Sequence, residues 1–81
     1  MTVSDFAVVM YGAGVVKDHA IIVRDEETLY DDRMEFLRYA DEYSPEKMWF
    51  AGAEIQSVHM FSDKNVREID YNPDYITVIT I

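Results

Sequence analysis

Apolar residues along this chain fall into blocks separated by turn-forming residues, and the spacing within the blocks changes from one end to the other. Phe6 to Tyr11 is a dense run of β-branched and aromatic residues ending at Gly12-Ala13-Gly14, which predicts a strand entering a turn. Val15 to Val23 resumes the pattern around Ala20-Ile21-Ile22-Val23, so the two runs predict an antiparallel hairpin. Both are apolar on both faces for part of their length, which leaves the register open. From Asp25 the period lengthens. Asp25-Glu26-Glu27 places acids where a first helical turn favours them, and Tyr30, Met34, Leu37 and Ala40 recur at spacings of four and three, one face of a helix. Ser44-Pro45 ends that helix, because the residue before a proline is pushed out of the α region. Pro45 to Met48 predicts one further short turn.

Met48 to Gly52 is an apolar knot that the pattern assigns to neither strand nor loop. Ala53 to Phe61 predicts a strand, and Ser62 to Asn65 a hydrophilic turn. Val66 to Tyr71 predicts another strand, with Glu68 and Asp70 on one face and Ile69 and Tyr71 on the other. Asn72-Pro73-Asp74 reads as a turn. Tyr75 to Ile81 is so apolar on both faces that it should be central, covered, or paired with another chain. Together these elements predict a single α+β domain over residues 1–81. Its antiparallel sheet would have about five strands, in the order β-β-α-β-β-β, with one main helix across one face.

Composition narrows what such a domain can be. The chain has 81 residues, 49% hydrophobic and 14% aromatic, too much burial potential for a disordered acidic tail. It has no cysteine, so neither disulfides nor a thiolate metal site can support a small core. Met1 to Asp5 has no basic leader region, and no stretch approaches the roughly 20 apolar residues of a membrane span. A cytoplasmic location is the expectation, and the acidic balance disfavours anionic lipid.

Four constellations recommend themselves for chemistry, and each reads better as structure. Tyr11-Gly12-Ala13-Gly14-Val15 follows a predicted strand but lacks the third glycine and the Lys-Ser/Thr pair of phosphate loops, so it reads as a hairpin turn. Asp70-x-Asn72-x-Asp74 has the first ligand spacings of a calcium loop. Tyr75 then stands where glycine is needed and Ile81 where a bidentate glutamate is needed, which makes the segment a turn between strands. His19 and His59, with Asp18 and Asp63 near them in sequence, have no metal-ligand spacing and read as histidines bonded to neighbours. Ser4, Ser44, Ser57 and Ser62 sit in no nucleophile context, and the adjacent carboxylates look solvated. The expectation is therefore no catalytic residue, no cofactor and no metal. A small-molecule sensor built around Trp49, Tyr71, Tyr75 and a histidine is the weakest of the remaining readings.

Charge is the feature left over. The formal net charge is −9, and Asp25 to Glu46 holds nine of the sixteen carboxylates against only Arg33 and Arg38. A negative field of that kind favours cationic partners and disfavours nucleic acid and phosphate ligands. On the predicted helix, Asp31, Asp32, Glu35, Asp41 and Glu42 fall mainly away from the apolar stripe. Those of Tyr30, Phe36, Tyr39 and Tyr43 that are not buried would add contact residues beside the charges. Asp31, Asp32, Glu35, Tyr39, Asp41 and Glu42 are thus the expected partner-binding residues, and a basic protein surface the expected partner. In size and charge, though in no motif, the chain resembles the small acidic inhibitors and DNA mimics that phages use against host systems. That resemblance implies a partner whose basic surface binds nucleic acid. The alternative is a self-assembling module that forms a homodimer through the C-terminal strand.

Overall fold

The structure is a computed structural model that describes residues 1–13, 19–50, 52–72 and 76–81, with only the backbone described at Asp41, Ala53, Glu54 and Asn72. The fold is α+β: a four-stranded mixed sheet whose one face is packed by helical segments. It departs from the expected five-stranded antiparallel sheet in two places where an expected strand is helical, in one where the expected helix begins as a strand, and in the parallel pairing of residues 19–23 with 76–80.

Helix α1, Val3–Gly12, replaces the first expected strand. Its start is a capping box: the Asp5 N–H donates to Thr2 Oγ1 and the Thr2 N–H donates to Asp5 Oδ2, both at 3.1 Å. Two more N–H groups that the first turn would leave unpaired find carbonyls outside the helix, Val3 on Lys64 at 3.0 Å and Ser4 on Ser62 at 2.9 Å. Val3, Phe6 and Ala7 are buried and Met10 packs beside them, at spacings of three, four and seven from Val3. Gly12 therefore ends a helix instead of turning a hairpin, and the Gly14–Asp18 part of that expectation lies outside the described residues.

Strands β1 (His19–Arg24) and β2 (Glu27–Arg33) form an antiparallel hairpin with a register shift between Ile22 and Val23. The turn is only Asp25 and Glu26, both left-handed at φ 52° and 66°. Two successive positive φ values are the geometry of a type I′ turn, whose twist matches that of the strands it joins. The acidic stretch therefore begins as a turn and a strand, and the expected helix exists only from Met34. There a 3-10 turn over Met34–Arg38 runs into α2, Tyr39–Glu42, before Ser44 becomes extended ahead of Pro45. After a turn at Pro45–Lys47, the expected strand 53–61 is instead α3, Ala53–Gln56, continued by a 3-10 turn over Ser57–Met60.

Strands β3 (Glu68–Asn72) and β4 (Ile76–Thr80) close the sheet in the order β2-β1-β4-β3. β4 pairs parallel with β1 and antiparallel with β3, so the most apolar strand is central and both its edges are taken within the chain. The turn expected at residues 72–74 falls largely on residues outside those described. The core gathers Phe6, Ile22, Tyr30, Met34, Leu37, Met48, Val58, Phe61 and Ile79 between sheet and helices. Tyr30 is buried as the inward residue of β2; its hydroxyl donates to the Arg33 carbonyl at 2.7 Å, and its ring meets Phe61 edge-on at 5.8 Å. No described helix is long and apolar enough to cross a membrane.

Candidate partner-binding surface

Because β2 gives way to helical turns at Met34, the six expected partner-binding residues do not share one helix face. Asp31 and Asp32 are neighbours on strand β2, and successive side chains of a strand point to opposite faces of the sheet. Asp31 alternates with buried Tyr30, so it points away from the core, where its carboxylate contacts His19 Nε2 across the hairpin. Asp32 accepts the Arg33 N–H at 2.7 Å through its own side chain. Glu35, Tyr39 and Glu42 lie together on the helical segment; of Asp41 in α2 the side chain is outside the described residues.

On this segment each arginine is held twice, by a ring and by a carboxylate. Arg33 Nη2 donates to Glu35 Oε1 at 2.9 Å while its guanidinium lies 5.6 Å from the centre of the Phe36 ring. Arg38 pairs with Glu42 four residues on, and its guanidinium sits 4.1 Å from the Tyr11 ring and 5.5 Å from the Tyr39 ring. Aromatic faces carry negative charge density, so each guanidinium finds complementary charge on two sides. Glu35 and Glu42 are consequently compensated within the chain. Among the described residues, Asp25, Glu26, Glu27 and Glu46 are exposed and have no ion-pair partner.

The rings continue beyond the arginines. Phe36, Tyr39, Tyr43, Phe50 and Trp49 form a connected series with centroids 5.3 to 6.4 Å apart. Most contacts are edge-to-face, the arrangement aromatic quadrupoles prefer. The inner members are half-buried, whereas Phe50 is 51% exposed and Trp49 83% exposed. Large rings at that exposure are not core, and a contiguous exposed aromatic patch marks a contact surface more often than a single exposed residue does. Trp49 and Phe50 were not among the expected binding residues. The signal that points to them is their adjacency just after the Pro45 break, where neither strand nor helix periodicity gives the pair an inward direction.

Asp70 and Asn72 lie in strand β3, and Asp74 is outside the described residues. His59 lies on a helical turn with Nε2 2.9 Å from the sulfur of Met48, far in kind from its expected strand position. Among the described residues no three His, Cys, Asp or Glu side chains gather as a metal site would require. A cleft lined by Arg24, Leu29, Ser57, Met60 and Phe61 holds about 100 Å³, against the roughly 300 to 1,000 Å³ of typical small-molecule pockets. Comparison of the chain with protein-family models, with curated proteins and with solved structures gave no match.

Proposed function

We propose that this chain is a small acidic binding module that occupies a basic surface on another protein, as an inhibitor or regulator does. The observation that carries this reading is the repeated pairing of ring and carboxylate around arginine: Arg33 with Phe36 and Glu35, and Arg38 with Tyr39, Glu42 and, from α1, Tyr11. Trp49 and Phe50 extend the same series of rings into solvent, and Glu46, exposed and with no ion-pair partner among the described residues, lies in the turn that leads to them. A partner's arginine laid on the exposed Trp49 ring would repeat the ring contact that Arg33 and Arg38 make internally. A surface that binds nucleic acid is rich in such arginines, and the net charge of −9 would steer it toward this chain.

Trp49 is the only tryptophan, so its fluorescence reports on the proposed surface directly. Titration with an arginine-rich peptide is expected to perturb that emission, with an affinity that falls steeply as salt rises. It is also expected to bind more tightly than a lysine peptide of equal length and charge, because guanidinium stacks on rings better than ammonium does. An affinity unchanged from low to high salt, or no preference for arginine, would contradict the proposal.

A further inference from the structure

The two edges of the sheet are finished differently. At the β2 edge the exposed or half-buried outer positions are mostly charged, Glu27, Asp31, Asp32 and Arg33, and the chain continues directly into the packed helical turns. At the β3 edge, Arg67 to Tyr71 are all exposed, and two of the four β3 side chains described are large and apolar: Ile69 is 42% and Tyr71 50% exposed. Register fixes which side each takes. Ile69 pairs with Ile79 and Tyr71 with Thr77, both buried, so these two belong to the core side of the sheet, where about half of each is still exposed. Glu68 and Asp70, opposite Thr80 and Val78, belong to the other side.

An edge strand of this kind presents a backbone N–H and C=O at every second residue to whatever approaches it. Among the described residues, β3 has no strand on its outer side. A second copy of this chain is a poor occupant. Two β3 strands paired antiparallel about a two-fold axis would put Glu68 and Asp70 of both copies on one face, each copy carrying a net charge of −9. We infer that β3 is a docking edge for an extended segment of a basic partner, added as a fifth strand. Its alternate residues are apolar, packing on Ile69 and Tyr71, and the residues between are Lys or Arg, facing Glu68 and Asp70. Main-chain hydrogen bonds supply affinity in this mode, and the alternation supplies selectivity. The inference shares with the proposed function the expectation of a basic partner, but it does not depend on the aromatic surface.

The test uses a short synthetic peptide of alternating Lys and Val and a control of the same composition with its Lys and Val in blocks, titrated into the whole isotope-labelled chain by NMR. The alternating peptide is expected to shift amides centred on residues 68–72 and to slow hydrogen exchange at every second β3 residue. The block peptide, and the alternating peptide with a Glu68→Lys/Asp70→Lys variant, are each expected to bind at least about tenfold more weakly. Equal binding of the two peptides, or shifts confined to residues 34–50, would overturn the β3 edge as the docking site. A response of Trp49 fluorescence without shifts at β3 would do so while leaving the aromatic surface standing. Sedimentation of the chain alone showing a dimer, with the same β3 amides moving with protein concentration, would overturn it in favour of a second copy.

Discussion

Met34 and Leu37 share a short stretch of chain with Phe36 and Tyr39, yet the first pair is buried in the core and the second is half-buried at its margin. Met34 and Leu37 are 1% exposed and packed in the core, while Phe36 and Tyr39 begin a series of rings that ends in solvent at Phe50 and Trp49. The segment's inward face is held by burial and should govern stability; its outward face holds arginines by ring and carboxylate and should govern recognition. If that division is correct, changes on one side leave the other's readout untouched.

The largest expected effect is on the inward side. Leu37→Ala removes a fully buried side chain and is expected to cost about 2 to 5 kcal/mol of unfolding free energy, measured by denaturant titration. Affinity of the folded fraction for an arginine peptide should not change. Equal losses in both would mean that the two faces are one cooperative unit.

A smaller effect, of opposite sign, is expected at the β1–β2 turn. Asp25 and Glu26 both hold positive φ without being glycine, and a left-handed residue with a Cβ is strained by roughly 1 to 2 kcal/mol. Glu26→Gly relieves that strain at the position type I′ turns commonly give to glycine, so it should stabilise the chain by about 1 kcal/mol. An unchanged or lower midpoint would show that the turn is not under strain at Glu26.

The smallest effect is confined to acid. The N–H of Thr2, and after it the Thr2 hydroxyl, hold the Asp5 carboxyl below its ordinary value of 3.8. A carboxyl depressed in the folded state contributes stability above its unfolded pKa and loses that contribution as pH falls through the folded one. Wild type should therefore lose stability below pH 3.8 in a part that Asp5→Asn lacks, and the variant's stability should vary less with pH there. Identical acid limbs for the two proteins would assign the loss to other carboxylates.

Legibility in the sequence followed how completely each element buries one face. That β4 is covered on both sides was readable because Ile76, Val78 and Ile79 leave no polar face, but the choice between a central place and pairing with another chain was settled only by its pairing with β1 and β3. The helical run from Met34 to Glu42 and its stop at Pro45 were readable from spacing and proline. Helix α1 was hidden because its outer residues Val8, Val9 and Tyr11 are also apolar and exposed, so the run looks like a strand; the Thr2-x-x-Asp5 cap was the telling local signal. Residues 25–33 resembled a helix because Tyr30 on β2 happens to stand four residues before Met34, and because the type I′ turn is built from Asp and Glu in place of Asn and Gly. At 53–61 the core-facing positions, half-buried Ile55 and buried Val58 and Phe61, repeat every three residues, a helical spacing masked by the strand-like composition. Of the expected binding residues, Glu35, Tyr39 and Glu42 share a segment, Asp31 and Asp32 sit on β2, and the most exposed rings come from the knot at 48–52 that periodicity left unassigned.

The central claim is that recognition depends on the exposed rings as well as on charge, and Trp49→Ala separates the two because it alters no charge. Affinity of this variant for an arginine peptide, measured by calorimetry at fixed salt beside its denaturant midpoint, is the direct test. Binding is expected to weaken by about tenfold or more, roughly 1.4 kcal/mol, with stability changed by less than about 0.5 kcal/mol. Binding equal to wild type would contradict that claim and leave only a diffuse negative field.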